Sequence, residues 1–202
     1  RILFREILGE RFICTLIKED IIIDRSLYIA KPNFDSEIQL NGILGILASN
    51  LIAFYFRHIA NEFDKLFPKI RLEEFKKLPI KSLDSPIIIL ISKLVTLMLE
   101  NNFHFFSNID RFLSRIQSNF TIEKPSNKLK EFYNYDFKTF LRKKKKKKVT
   151  LTLKQQDEWE QYFNEYKTEI NKLQQQITQT DKEIDQLVYK LYGLTEEEIR
   201  IV

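Results

Sequence analysis

Apolar residues in the first thirty positions come as short runs broken by polar turns: Ile2-Leu3-Phe4, Phe12–Ile17, Ile21–Ile23 and Leu27–Ala30. β-branched and aromatic runs of this length predict strands. The interruptions at Gly9-Glu10, Lys18–Asp20 and Asp24–Ser26 predict that they pair as a small antiparallel sheet. Lys31-Pro32-Asn33 closes the sheet, because proline cannot donate to a central ladder. From Glu37 to about Ile59 the period changes. Leu40, Ile43, Leu44, Leu47, Leu51, Phe54 and Tyr55 fall at three- and four-residue steps and make one apolar helix face. Leu66–Ile70, with Pro68 inside it, predicts an extended connector, and Leu72–Leu78 a short helix that stops at Pro79.

The second half is mostly helical. Ser85-Pro86 is a helix start, and Ile87, Ile91, Leu94, Met98, Phe105, Ile109, Phe112 and Ile116 follow with near-heptad spacing. Downstream, Trp159, Phe163, Tyr166, Ile170, Leu173, Ile177, Thr180, Ile184, Leu187 and Leu191 alternate steps of four and three. That register predicts a helix packed along a narrow seam, about 55 Å long if continuous from Gln155 to Tyr192. Its simplest partner is the 87–116 helix, folded back as an antiparallel hairpin; an intermolecular coiled coil, and hence a homo-oligomer, is the alternative. Thr195 with Glu198 predicts a capping box for a last short helix, after a C′ glycine at Gly193. The expected fold class is therefore α+β, mostly α. A small N-terminal antiparallel sheet packed with helices is followed by a long antiparallel helical hairpin, divided as 1–81 and 82–202, with a basic insertion at 117–154.

Charge changes this picture in one window. The chain carries 33 Lys+Arg against 28 Asp+Glu, a net charge of +5. Residues 121–150 hold eleven basic residues (Lys124, Lys128, Lys130, Lys138, Arg142 and Lys143–Lys148) against Glu123, Glu131 and Asp136, which is +8 and leaves −3 elsewhere. Six consecutive lysines attract phosphates in a salt-dependent way, and as point charges they hold a backbone without reading bases. A solvated helix end or loop is the plainer reading of the same run. The aromatics beside it (Phe132, Tyr133, Tyr135, Phe137, Phe140) fit a local mini-core better than a stacking platform. A second cluster at 57–81 sets seven cations against four acids, for +3, with Lys69 and Arg71 on an extended segment.

Several chemistries lack their residues. The single Cys14 rules out an internal disulfide and a cysteine-cluster zinc site, and fits a reducing, cytoplasmic setting. His58 and His104 are the two imidazoles. The four glycines are too scattered to cradle a phosphate, so no cofactor site is expected in this chain. The longest unbroken apolar runs, Leu51–Phe56 and Ile87–Ile91, are six and five residues, and no membrane partner is expected. Asp64 with Glu74 and Lys76 loosely mimics a metal-dependent nuclease set, but a solvated helix explains such spacing more simply. The chain opens at Arg1 inside an apolar segment and reads as the carboxyl-terminal piece of a longer intracellular protein.

The stretch Leu44-Gly45-Ile46-Leu47-Ala48-Ser49-Asn50-Leu51-Ile52-Ala53-Phe54-Tyr55-Phe56 resembles a helix of TaqI-like carboxyl-terminal specificity domains. These belong to adenine-specific DNA methyltransferases and type IIG restriction–modification enzymes. Leu66-Phe67-Pro68-Lys69-Ile70-Arg71 and Phe75-Lys76-Lys77-Leu78-Pro79-Ile80 are similar to the ending of that domain, and Glu183–Glu198 to its closing helix. Gln156-Asp157-Glu158-Trp159 with Tyr162-Phe163 looks like a segment of the longer type IIG members. The resemblance implies target recognition on double-stranded DNA. It also implies an N-terminal methyltransferase domain of the same parent protein, binding S-adenosylmethionine and acting on a flipped adenine. No adjacent prolines occur here, so no catalytic residue is carried over. The candidate DNA contacts are Arg25 and Ser26 in the strand turn, Lys69, Arg71 and Lys77 around the family motif, and Arg142, Lys143, Lys144, Lys145 and Lys146 in the basic window. Arginine can engage guanine with two hydrogen bonds, while lysine and serine more often hold phosphates.

Overall fold

In a computed structural model of the chain, residues 1–59, 69–120, 125–143 and 152–202 are described. Two compact units emerge: Arg1–Leu99 together with Thr180–Val202, and Glu100–Gln179. The fold class is α+β and mostly α, as the periodicities predict.

The first unit begins with a three-stranded sheet of β1 (Ile2–Arg5), β2 (Cys14–Leu16) and β3 (Leu27–Ala30), in the order β2-β1-β3. Both pairings are antiparallel; Phe4 faces Cys14 on one side and Tyr28 on the other. Alternation puts Ile2 and Phe4 on the buried face, 2% and 3% exposed. Inside the sheet, burial pushes the Cys14 thiol up to about 12, so it stays protonated. The expected strand at Ile21–Ile23 does not form. The outer edge of β3 takes no further strand, because the segment has no core to face: Ile21 is exposed and Ile22 fully so in the loop that carries the chain from β2 to β3.

The next helical stretch is also more structured than its period suggests. One helix face was expected from Glu37 to Ile59, but the chain makes α1 (Glu37–Ala48) and α2 (Asn50–Ile59), bent by 61°. Ser49 is the hinge. Its backbone is extended (φ −72, ψ 155), and its hydroxyl donates to the Ile46 carbonyl at 2.7 Å while accepting from the Ile52 N–H at 3.3 Å. One side chain thus closes the end of α1 and the start of α2, as serine does when it competes with the backbone ladder. A short α3 (Leu72–Phe75) follows, and Phe75 stacks on Phe4 at 4.5 Å.

Two long helices then appear: α4 (Pro86–Phe120) and, after α5 (Asn127–Lys130) and α6 (Phe137–Lys143), α7 (Leu153–Tyr192). By length and composition alone, Pro86–Asn119 is apolar enough to cross a bilayer, although no unbroken apolar run is long. In the first unit that apolarity is used in packing. Ile88, Ile91 and Val95 of α4 join Ile184 and Val188 of α7, Leu44, Ile46 and Leu47 of α1, and Phe56 of α2 in one core. The approach of α1 is very close. A Cβ added to Gly42 would lie 2.6 Å from the Ile88 side chain, and one on Gly45 2.5 Å from that of Ile91. After α7, Gly193 (φ 72) forms the expected C′ position; its N–H donates to the Lys190 carbonyl at 3.2 Å and that of Leu194 to Tyr189 at 3.1 Å. The Thr195–Glu198 capping box of α8 (Glu196–Ile199) is formed from both directions.

The second unit is an aromatic cluster. Phe112 of α4 is fully buried, stacks on Phe132 at 3.8 Å and packs on Phe140 and Phe163. The aromatics of the basic window are therefore core residues where they are phenylalanine: Phe132, Phe137 and Phe140 are all buried. In the first unit early residues of α4 meet late residues of α7, and in the second late residues of α4 meet early ones of α7, the antiparallel sense expected for a hairpin. The α7 seam is thus filled from within the chain.

The glycine contacts set a stability test. Gly45→Ala should lower stability by about 1–3 kcal/mol, the usual cost of forcing a methyl into a packed core. Urea denaturation should show a lower midpoint with an unchanged slope, despite the better helix propensity of alanine.

Candidate nucleic-acid interface

Glu6, immediately after β1, is where several of the expected contacts meet. Its N–H donates to the Ser26 carbonyl at 2.8 Å, and its carbonyl accepts from the Ile70 N–H at 2.7 Å. Lys69 adds an isolated antiparallel bridge to Ile7. The central strand therefore continues past Arg5 and gathers the start of β3 and the 69–71 segment at one end of the sheet. Local hydrophobic anchors fix this end, since Ile70 and Leu78 are buried in the core and Phe75 lies on Phe4 and Phe12.

The polar groups there are partly committed. The Lys69 ammonium lies 3.2 Å from both oxygens of the Glu6 carboxylate, and the Tyr28 hydroxyl donates to one of them at 3.5 Å. A half-exposed pair of this kind contributes little stability, but it matches the charge that a phosphate would otherwise meet. Ser26 donates its hydroxyl to Asp24 at 2.6 Å and its N–H at 2.8 Å. Those two bonds hold the exposed Asp24 carboxyl below its ordinary range. Arg25 is exposed on the same turn, and Arg71 is exposed at the residue before α3. Lys77 is exposed in the turn that follows α3.

The sheet end thus brings together Arg25, Ser26, Lys69 and Arg71, with Lys77 on the adjoining turn. Arg142 belongs to the second unit, exposed on α6 with its guanidinium 3.5 Å from the Thr139 hydroxyl. Lys143 ends α6, and Lys144, Lys145 and Lys146 lie outside the described residues. So does Asp64 of the nuclease-like set. Its other members are placed apart in role: Glu74 is buried on α3, while Lys76 pairs with Glu73 at 3.0 Å. Among the described residues, no three His, Cys, Asp or Glu side chains cluster as a metal site would need. Gly42 and Gly45 serve helix packing, so neither is placed to cradle a nucleotide.

One group of residues near this sheet has no signal in local sequence pattern. Arg11, in the loop after β1, reaches α7, with one nitrogen 2.9 Å from Asp181 and another 2.9 Å from Asp185. The first also approaches the Ala48 carbonyl at 3.4 Å. Asp185 is 5% exposed and accepts the Asn50 backbone N–H at 2.9 Å and its side-chain amide at 3.1 Å. This junction ties the sheet loop, the start of α2 and the end of α7 together. Asp185 directly follows Ile184 in the apolar stripe of α7, and a carboxylate at such a position is the one hint that the sequence carries. Burial pushes its carboxyl above the ordinary range, outweighing the Asn50 N–H and Arg11, which act the other way.

Residues 1–80 match the family model described as TaqI-like C-terminal specificity domain, and residues 87–188 match the one described as Domain of unknown function (DUF8810). No curated protein and no solved structure gives a match.

The Asp185 junction gives two linked expectations. Asp185→Ala leaves Arg11 and the Asn50 N–H without their acceptor and should cost about 2 kcal/mol, less than a fully buried pair because Arg11 is partly exposed. For the pH dependence, a raised carboxyl contributes most below its unfolded value and loses that contribution as pH rises through the folded value. Wild type should therefore lose stability relative to Asp185→Asn as pH is raised above about 4, and denaturation of both across pH 3–7 would show it.

Proposed function

We propose, from the premise that the chain belongs to the DUF8810 family over residues 87–188 and carries a TaqI-like specificity domain over residues 1–80, that it selects the DNA target of an adenine-specific methyltransferase or type IIG restriction–modification enzyme. The first 80 residues are a specificity domain of the kind associated with DNA methyltransferases. The reading rests above all on that match together with the sheet end around Glu6, where the family's own segment at Lys69–Arg71 is held against the Arg25–Ser26 turn. In this reading Arg25 and Arg71 meet base edges, because a guanidinium offers the paired donors that guanine accepts. Ser26, Lys69 and Lys77 lie toward the phosphates. The lysine run adds a sequence-independent grip.

The catalytic step belongs to a separate methyltransferase domain of the same protein, which would bind S-adenosylmethionine. What this chain contributes is placement, holding the duplex so that one adenine stands opposite the reacting domain.

Anisotropy with a labelled random duplex across a salt series tests the reading. The chain should bind with a steep salt dependence, and replacing Lys143–Lys148 by Gln should reduce the slope of log K against log salt by about 5. Binding with an unchanged slope would move the phosphate contacts elsewhere. Methyl transfer by this chain alone, supplied with S-adenosylmethionine, would overturn the division of labour.

A further inference from the structure

A polar groove lies wholly within the second unit, between α4 and α7. It encloses about 480 Å³ and is lined by Asp110, Arg111, Ser114, Arg115, Ser118, Tyr162 and Tyr166. Its two walls are built by helical repeats: Arg111 and Arg115, like Tyr162 and Tyr166, stand four residues apart and so share a face. Ser114 and Ser118 repeat the same four-residue step, Ser114 directly before Arg115. The floor is rigid. Both tyrosine rings rest on the buried Phe112, at 5.8 and 5.7 Å, and lie 4.8 Å from each other.

The groups offered here are two guanidinia and the hydroxyls of Ser114, Tyr162 and Tyr166 against one carboxylate, while the Ser118 hydroxyl is already given to the Arg115 carbonyl at 3.0 Å. Arg111 has no ion-pair partner among the described residues. Arg115 and Tyr166 both act on the Tyr162 hydroxyl, which burial holds above its usual range, so that it stays a neutral donor at physiological pH. Arginine, serine and tyrosine are the side chains that bind phosphate and sugar oxygens along a duplex. A lone carboxylate at the rim is a modest repulsion beside them. This unit carries 16 Lys+Arg against 10 Asp+Glu, whereas the unit with the specificity sheet carries 17 against 18. The excess of six equals the Lys143–Lys148 run, so the groove is a second feature, made of shaped donors where the run is bare charge.

We infer that the groove is a phosphate-backbone clamp of the DUF8810 unit, through which Arg111, Arg115 and the hydroxyls of Ser114, Tyr162 and Tyr166 grip duplex DNA without reading its sequence. This rests on the reading of the chain as a DNA-recognition protein and gives its helical half a task of its own. The clamp adds affinity equally on every site, while selection stays with the sheet end of the other unit.

The test compares wild type, Arg111→Gln/Arg115→Gln and Asp110→Asn by anisotropy on two labelled duplexes of unrelated sequence, over a salt series. The double variant should lower the slope of log K against log salt by about 2, with the same loss on both duplexes. Asp110→Asn should bind several-fold more tightly at low salt, a gain that misfolding cannot produce. If wild type binds DNA but neither variant moves affinity or slope, the clamp is wrong and the recognition reading stands. If wild type binds no DNA at any salt, that reading falls and the clamp with it. If the double variant loses binding to a labelled poly-glutamate peptide while keeping DNA affinity, the groove serves an acidic protein partner and the clamp is overturned.

Discussion

Two absent side chains set the geometry of the first unit. With hydrogen at Gly42 and Gly45, α1 can press directly onto Ile88, Ile91 and Val95 of α4, and Gly45 also lies in reach of Ile184 of α7. Everything the sheet rests on follows from that approach. The same core holds Ile2 and Phe4 of β1 and Phe56 of α2, so the strand that ends at Glu6 is positioned by helices far away in sequence. The bend at Ser49 then turns α2 away from α1, which a continuous helix could not do without leaving Phe56 outside the core.

Charge follows a different logic in each unit. In the first, some cations are matched where they stand: Lys69 by Glu6, Lys76 by Glu73, Arg11 by Asp181 and Asp185. Such pairing gives register and orientation more than attraction at a distance. In the second, the basic excess is carried by an unbroken lysine run, and the groove arginines face hydroxyls more than acids. Under the proposed function, choosing a site and holding a polyanion fall to different residues, and a strong indiscriminate field among the reading residues would blunt discrimination.

Much of this was legible in sequence, and the exceptions share a cause. The long helices, their antiparallel sense, the Gly193 cap and the Thr195 capping box all follow from period or local hydrogen bonding, which act within a few residues. The mini-core of Phe132, Phe137 and Phe140 was legible too, from aromatics with little glycine around them. The strand at Ile21–Ile23 was misread because propensity cannot tell that these side chains find no core to face. Ser49 was misread because Leu40 to Tyr55 keeps its apolar period straight through the bend, while the hinge depends on one hydroxyl serving two helix ends. Around the candidate interface, the family segment at Lys69–Arg71 was visible, but its attachment through Glu6 to Ser26 was not, since neither residue carries a pattern of its own. Arg11 with Asp185 lay further still from any local rule.

The first unit is also discontinuous in the chain, and that has a consequence for how it is made. Arg11 and Asp185 are 174 positions apart, and Ile184 and Val188 complete a core begun at Ile2. On the ribosome, the sheet, α1, α2 and the start of α4 must therefore wait through the synthesis of the whole helical unit before their last wall arrives. At about 5–20 residues per second that is a wait of several seconds, with Leu44, Ile91 and Val95 uncovered meanwhile. The helical unit, contiguous and closed by its own aromatic cluster, can fold during that interval and bring the end of α7 back toward its partners. Contact order then makes the specificity sheet the late-folding part of the molecule.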